Sequence, residues 1–454
     1  MLFGTDEQFA RANDALAKGG MAAEAAALRS SRQLRQGNLA QSITEARAAA
    51  GQSVDAAKKL ELLRLLLARH VPMLDAPGTP APSELRGLEE AVALVDELQG
   101  TPQANEAIAM ALGAFPQPPD KARAWAAAAL RDLTPSNPGL LPAAQFMVAA
   151  GERTPQECLA MLSPVFDGAG DDQRARFARW VNRQQMWDET LARITAKDAA
   201  RNAFCFEERG RALAGRQQWA ELLAMSEAPS QAPESLRFIF RGLAAGKLGK
   251  TGVAPKSLAD AVRAGVREGR LPQTLAALDA LGEGKVADPL LIEMCASPGL
   301  ADPMFRLARD RFARRGQFAD LSAAFAAAWK AAPEASPVRD YRWRRRLLAG
   351  KTVNPDDIAA AVAAAPADPQ LRVTHALALL KAGRPADALG VFHDIDIFVD
   401  QLPPGDKAIV IALWEANGLH NHARALRQSL HPDLLEKGEY ALISQRIRQP
   451  GPSR

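Results

Sequence analysis

Apolar residues recur at helical spacing along most of this chain. In residues 54–70, for example, Leu60, Leu63 and Leu67 lie three or four positions apart and form one stripe. This period is typical of amphipathic α-helices. No run of alternating apolar and polar residues is long enough to predict a sheet. The pattern therefore predicts an all-α fold.

Helix start and stop signals divide these stripes into short elements. Thr154-Pro155-Gln156-Glu157 has an N-cap residue, a proline at the first helical position and a glutamate at the third, as helix starts prefer. Asn354 and Pro355 repeat the first two of these features. A similar start at Thr5 and a stop at Gly19-Gly20 bound the first helix. The next helices are predicted at 21–34, 39–50 and 54–70.

Proline and glycine clusters predict the domain organisation. Three prolines within Pro77–Pro82 cannot lie inside a helix, and glycines interrupt the chain again from Gly246. The predicted parts are N-terminal hairpins at 1–75, a Pro-rich linker at 76–84, degenerate hairpins at 85–245, a flexible loop at 246–257, repeats at 258–448 and a tail at 449–454.

Glycines in the C-terminal half are regularly spaced. Gly316, Gly350, Gly383 and Gly418 lie 34, 33 and 35 residues apart, and each separates two amphipathic stretches. A period near 34 in an alanine-rich chain predicts stacked helical hairpins. Such a solenoid presents a surface instead of enclosing a catalytic pocket.

Residues 369–395 resemble a tetratricopeptide repeat. Ala376 and Ala388 stand where that family keeps small residues in its two helices, Gly383 forms the turn, and Phe392 is the large apolar residue that follows. The resemblance implies an α-solenoid of antiparallel hairpins wound into a right-handed superhelix. About twelve hairpins would fill the chain.

The same template fits other turns with fewer matches. The matching residues are Phe305, Phe325 and Ala328 around Gly316, Ala423 around Gly418, Phe204 and Ala220 around Gly215, and Ala144 before Gly151. The sequence departs from the template at Trp343, where the family has a small residue, and at Arg427, where it has a large apolar one. The Lys and Asn that some members use to grip a carboxylate are replaced by Arg306 and Asp310. That clamp is therefore not expected.

Charge and cysteine content restrict the function classes only weakly. The 454 residues carry a net charge of +4, and the isoelectric point is near 9.0. This excess permits an anionic partner but does not require one. Three widely spaced cysteines form no disulfide framework and suit a reducing compartment. No signal peptide or membrane-length apolar run is visible, so we expect a soluble, cytoplasmic protein without direct membrane insertion.

The densest basic run lies at 339–346. It holds Arg339, Arg342, Arg344, Arg345 and Arg346, with Tyr341 and Trp343 between them. Arginines and aromatic rings together suit phosphate contacts and base stacking. An exposed helix face with Trp343 packed inward explains the same residues without a ligand. The run is therefore the basis of an alternative function, the binding of nucleic acid or another anionic ligand.

Other motifs give little support to catalysis. Residues 244–251 match a relaxed phosphate-loop pattern, but a true loop needs a strand before it and a helix that starts at Lys250. The preceding stretch is predicted to be helical, so we expect a loop between hairpins and keep a nucleotide-binding enzyme only as a lesser alternative. His420 and His422 are two residues apart and would point to different helix faces, which does not suit a metal site.

These patterns predict a non-enzymatic scaffold that holds a peptide or protein partner in a concave groove. No cofactor or metal is expected. First-helix positions and the basic run supply the candidate binding residues, which are Arg306, Asp310, Arg342, Arg344, Arg345 and Arg346. The partner's identity and the oligomeric state stay open.

Overall fold

The computed structural model describes residues 6–35, 39–74, 82–114, 121–366, 368–392, 399 and 402–444. Within these ranges the chain forms 27 α-helices with short 3-10 turns, and no strand is present. The predicted all-α class is therefore confirmed. Predictions for Thr5, for 75–81 and for the tail at 449–454 lie outside the described residues.

The helices are short and follow one another closely. The N-terminal helices are α1 Asp6–Lys18, α2 Ala22–Arg35, α3 Leu39–Gly51, α4 Ala56–Leu74, α5 Pro82–Glu97 and α6 Ala104–Ala114. The central helices are α7 Ala122–Ala129, α8 Leu140–Ala149, α9 Pro155–Phe166, α10 Asp171–Arg183, α11 Trp187–Arg193, α12 Ala196–Arg201, α13 Ala203–Gly215, α14 Trp219–Glu227, α15 Glu234–Lys247, α16 Ala254–Arg267, α17 Leu271–Ala280 and α18 Ala287–Cys295. The C-terminal helices are α19 Ala301–Arg314, α20 Phe318–Ala331, α21 Ser336–Leu348, α22 Pro355–Ala364, α23 Pro369–Lys381, α24 Pro385–Gly390, α25 Pro404–Ala416, α26 His420–Gln428 and α27 Lys437–Ser444.

The chain divides into two compact units. One comprises residues 1–107, 114–116 and 292–454, and the other comprises 108–113 and 117–291. The helix bounds also shorten the predicted loop at 246–257: α15 continues to Lys247 and α16 begins at Ala254, so only residues 248–253 lie between them. The helices reach into this segment because Gly249, at a φ of +72°, provides the turn after α15.

Capping residues fix several helix starts as the sequence predicts. The Thr154 hydroxyl accepts a hydrogen bond from the Glu157 amide at 3.2 Å, and the Glu157 carboxylate accepts one from the Thr154 amide at 2.7 Å. This reciprocal arrangement satisfies two amides that the first turn of α9 leaves free. Asn354 caps α22 through the Asp356 amide.

Many helices in both units pack against the next helix and also against a helix one or two further along the chain. In the central unit α8 contacts α10, α10 contacts α13, α13 contacts α15 and α15 contacts α17. In the C-terminal helices α19 contacts α21, α21 contacts α23 and α23 contacts α25. The helices of each series, which we call first helices, therefore contact one another in order along the chain.

Glycines allow the central helices to approach closely. A Cβ at Gly210 of α13 would overlap the Phe240 ring of α15, and one at Gly242 of α15 would meet the Leu258 side chain of α16 at 2.6 Å. Only a glycine fits these crossings without displacing a core side chain.

The residues on which the repeat resemblance rests lie near one another in the C-terminal helices. Gly383 has a φ of +77°, which suits a residue without a Cβ at a helix end. Ala376 and Ala388 are buried in one apolar cluster, and Phe392 packs against it. The helix α24 spans only Pro385–Gly390, so Phe392 lies beyond its end.

The template fails around Gly215. Phe204 is 54% exposed and Ala220 is also exposed, whereas Phe206 and Leu222 are fully buried. The assignment of Phe204 and Ala220 as core positions was wrong by two residues. The cause is local: Gly215 still belongs to α13, and the positive φ of 59° falls on Gln217.

Candidate partner-binding site

The helix α21 carries the predicted basic run, and its apolar face decides which arginines reach solvent. Val338, Tyr341 and Leu347 are buried on one face of this helix. Arg344 lies three residues after Tyr341 and three before Leu347, so it falls on the same face. It is only 4% exposed. Four of the five arginines therefore point elsewhere, and one is an interior residue.

Arg344 joins three helices through ion pairs. Its guanidinium contacts the carboxylate of Asp406 on α25 and donates to Glu439 of α27 at 2.9 Å. A second buried pair lies beside it, in which Arg309 of α19 donates to Asp340 of α21 at 2.5 Å. We call Arg309, Asp340, Arg344, Asp406 and Glu439 the interior charge cluster.

The interior charge cluster holds more acidic than basic groups. Two guanidinium groups face three carboxyl groups, and each of these side chains is less than a tenth exposed. Burial raises the pKa of Asp340 and of Glu439, although Arg309 and Arg344 oppose this effect. Burial disfavours the charge of Arg344, but Asp406 and Glu439 together raise its pKa. Complete ionisation would leave one negative charge in the interior. This excess charge adds to the effect of burial in disfavouring the ionised carboxylates.

A cavity of about 20 Å³ adjoins the cluster, large enough for one water molecule. Arg309, Tyr341, Arg344, Asp406 and Glu439 are among its lining residues. Four buried atoms of the cluster have no hydrogen-bond partner among the described residues: Arg309 Nη2, Asp340 Oδ1, Arg344 Nε and Asp406 Oδ2. The polar interior is therefore only partly satisfied.

Residues 432–444 pack onto the first helices and complete this cluster; we call them the docked segment. Beyond the Glu439 ion pair, the buried Tyr341 hydroxyl donates to Glu436 at 2.6 Å. Leu435 and Ile443 enter the apolar cluster that contains Leu347. First-helix side chains of this protein therefore hold a short acidic segment by both its carboxylates and its apolar residues.

The remaining arginines of the run form a basic stripe, in which Arg342, Arg345 and Arg346 are exposed and Arg339 is partly buried. Arg342 lies over the Trp329 ring of α20 at 4.3 Å, and Arg345 lies 5.8 Å from the Phe325 ring. Among the described residues, Arg342, Arg345 and Arg346 have no carboxylate within ion-pair distance. Stacking on rings holds the guanidinium groups in place and leaves their outer edges available to an anion.

The other predicted binding residues are engaged within the chain. Arg306 of α19 pairs with Asp368 at 2.7 Å, and Asp368 also caps α23. Asp310 pairs with Arg314 one turn along α19. Both side chains remain more than two-fifths exposed. Arg344 does not: the structure places it in the interior because its position on α21 lies between Tyr341 and Leu347.

The motifs considered for catalysis or metal binding lack the geometry they would need. Residues 244–247 form the end of α15, and no strand precedes them in the described chain, so the phosphate-loop pattern is a helix end followed by a turn. His422 packs edge-on against Trp414. No group of three or more histidine, cysteine or acidic side chains in the described chain could hold a metal.

The three cysteines Cys158, Cys205 and Cys295 are buried and unpaired. Burial raises the pKa of Cys205 to about 11 and of Cys295 to about 12. Such thiols are small core residues and poor nucleophiles.

Sequence reasoning missed most of the interior charge cluster. Arg309 follows Phe305 by four residues and precedes Phe312 by three, which places it on an apolar face and could have marked it as buried. Asp406 and Glu439 give no comparable local signal, since their pairing joins residues 62 and 95 positions from Arg344.

The class that these observations define is an all-helical protein with a partly polar interior beneath a docked segment. No protein-family model, curated protein or solved structure matches the chain. None of the described helices has the length and apolar character required to cross a bilayer.

Proposed function

We propose that this chain is a non-enzymatic interaction scaffold whose first helices bind a peptide or protein partner. The observation that carries the proposal is the docked segment: Arg344 and Tyr341 of α21 hold Glu439 and Glu436. The same helix face that a hairpin array would offer to a partner already binds a piece of chain in this protein.

The arrangement of α19, α21, α23 and α25 supports a tetratricopeptide-like, right-handed solenoid as the finer form of this fold. Each of these helices contacts the next one in the series, and the turn glycines recur at the family's period. The free thiols favour a reducing compartment such as the cytoplasm.

Affinity capture from native lysate at two salt concentrations tests the scaffold. The comparison uses the wild-type chain, a triple variant R306A/R342A/R345A and a control triple variant R131A/R183A/K256A, which removes exposed cations of the central unit. We expect a defined protein partner that survives the higher salt, is weakened by the first variant and is unaffected by the control. Equal capture by all three proteins would contradict the assignment of these arginines.

The basic stripe supports a second candidate, the binding of nucleic acid or another polyanion. The observation that favours it is the exposure of Arg342, Arg345 and Arg346, which have no carboxylate partner in the part of the chain that the structure describes. Binding of a labelled single-stranded RNA should then weaken steeply with salt, because each neutralised phosphate releases counterions. R342A/R345A should reduce the slope of log affinity against log salt by about 1–2. Affinity that does not depend on salt would count against this candidate.

A further inference from the structure

The docked segment contacts the first helices in the way that a bound peptide would, although it belongs to the same chain. We propose that residues 432–444 occupy a binding face formed by α19, α21 and α25, and that an acidic, amphipathic helical segment of a partner competes with them for it. We call this surface the receiving face. The inference rests on the proposed function and names the partner's chemistry and its regulation.

The contacts combine one face of α27 with the extended residue that precedes the helix. Glu439 and Ile443 of α27 are four residues apart, whereas Leu435 lies before the helix in extended backbone. Side chains at this spacing share a helix face, and an amphipathic helix laid in a groove is recognised in this way. Arg344 holds the central carboxylate, while Leu435 and Ile443 enter the apolar cluster on either side of it.

The connection to the rest of the fold leaves the segment free to separate. The docked segment joins α26, which ends at Gln428, through residues 429–431, and these three residues contain no helical element. The segment can therefore leave α25 without breaking the α25–α26 hairpin. Elements attached in this way belong to the parts of a protein that open locally before the whole fold does.

The polar fit beneath the segment is incomplete, which lowers the cost of exchange. Arg344 Nε and Asp406 Oδ2 have no hydrogen-bond partner in the described chain, and the cavity of about 20 Å³ lies next to them. The third carboxylate, Glu439, gives the cluster its acidic excess, and the docked segment supplies it. Buried charges that are only partly paired stabilise a contact less than well-packed apolar groups do.

The contacts of the receiving face define the residue types and the spacing that a competing segment needs. It needs an acidic residue to meet Arg344, apolar residues four positions before and after, and a second acidic residue to meet the Tyr341 hydroxyl. A small residue is required one position before the central carboxylate, because a Cβ at Gly438 would lie 2.9 Å from the Leu348 Cβ. The chain's own segment, Leu435-Glu436-Lys437-Gly438-Glu439 to Ile443, is one instance of this pattern.

A fluorescein-labelled peptide with the sequence of residues 430–444 tests the competition by fluorescence anisotropy. The full-length release variant E439K/I443D places a positive charge beside Arg344 and a negative charge in the apolar cluster. The full-length control variant K437A changes an exposed residue of the same segment. We expect the release variant to bind the peptide at least ten-fold more tightly than wild type, and the control to match wild type.

The proposal is overturned if the release variant keeps its helical circular dichroism, loses hydrogen-exchange protection in 434–444 and still binds the peptide within two-fold of wild type. A peptide carrying the same E439K change should not bind any of the three proteins.

Hydrogen exchange of the wild-type chain decides the question if the release variant does not fold. Amides of 438–444 should exchange faster than those of α21 and α25, and faster still when the peptide is added. Exchange of this segment only on global unfolding would overturn the proposal. The outcome is separate from the scaffold test: partner capture that depends on Arg306, Arg342 and Arg345 can hold while peptide competition fails.

Discussion

Two buried carboxylates, Glu208 in the central unit and Glu439 in the docked segment, meet arginine in different ways. Glu208 is fully buried on α13, and each of its oxygens has a partner: Arg179 at 2.8 Å and the Asn182 amide at 3.0 Å. Arg179 itself is 41% exposed. Glu439 meets Arg344, whose side chain is only 5% exposed.

The two contacts differ in how much water the arginine has lost. The Glu208 charge is balanced by a guanidinium that keeps much of its hydration, so the contact that joins α10 to α13 has the smaller desolvation cost. In the interior charge cluster both partners lose water, and their attraction must offset that cost. One unit therefore buries its carboxylate against a partly exposed arginine, and the other buries both partners of the ion pair.

The largest expected effect comes from removing Arg344. R344M leaves Asp406 and Glu439 buried without their cation, and loss of one partner of a buried pair costs about 3–5 kcal/mol. Urea unfolding at pH 7 should show this loss. R179M should cost less, because Arg211 remains 3.8 Å from Glu208 and Asn182 still donates to that carboxylate. Similar losses for the two variants would remove the distinction between the sites.

Adding a methyl group at Gly405 should disturb the docked segment in particular. A Cβ there would overlap the Glu439 carboxylate, and overpacking of this kind costs about 1–3 kcal/mol. Hydrogen exchange of G405A should show lost protection in 438–444 with α13 unchanged. The matched variant G210A, which overlaps the Phe240 ring, should instead weaken protection in α13 and α15. The same exchange pattern in both variants would contradict this assignment.

Neutralising the two glutamates should change stability in opposite directions. E208Q loses the charge that Arg179 pairs with and should destabilise the chain by about 1 kcal/mol. E439Q removes the acidic excess of the cluster, while Arg344 keeps Asp406, so it should be neutral or stabilising. Denaturant midpoints at pH 7 measure both. A destabilising E439Q would show that the Glu439 charge supports the fold.

The smallest expected effect is a pH dependence. Burial raises the pKa of Glu439 despite Arg344, so the folded chain retains a proton that the unfolded chain releases. The contribution of Glu439 to the free energy of unfolding is fully present below its unfolded-state pKa of about 4.3. It is lost as the pH rises through its folded-state pKa. The stability of E439Q relative to wild type should therefore increase with pH across this range. A difference that does not change with pH would contradict the raised pKa.

Asp198 provides a control in which the pKa shift has the opposite direction. Burial would raise its pKa, but hydrogen bonds from Thr195 and the charge of Arg174 together lower it. Its contribution is present above the unfolded pKa of about 3.9 and is lost as the pH falls through the folded value. D198N should therefore differ from wild type at neutral pH and approach it in acid. A difference that persists unchanged in strong acid would contradict this sign.

The helices could be predicted from the sequence because their signals are local. The capping residues of α9 and the turn at Gly383 depend on neighbours within a few positions, and both are confirmed. Around Gly215 the same reasoning failed by two residues, because the turn that the template assigns to a glycine is made by Gln217. A glycine identifies a turn only when the helix ends at it.

The binding residues were less accessible to sequence reasoning. The density of arginines at 339–346 singles out α21, but it does not separate the buried Arg344 from the exposed Arg345, and only the spacing from Tyr341 does so. The partners of Arg344 could not be predicted, because Asp406 and Glu439 reach it through packing between distant helices. The predictions for Arg342, Arg345 and Arg346 stay predictions.

The reactivity of the buried thiols reports the rate of local opening around each of them. Cys158, Cys205 and Cys295 lie in α9, α13 and α18, and none can react with a thiol reagent while its helix stays packed. The rate at which each thiol is alkylated in native buffer therefore counts how often its surroundings open. Three helices can be timed separately, by mass spectrometry of the labelled peptides, in a protein to which no probe has been added.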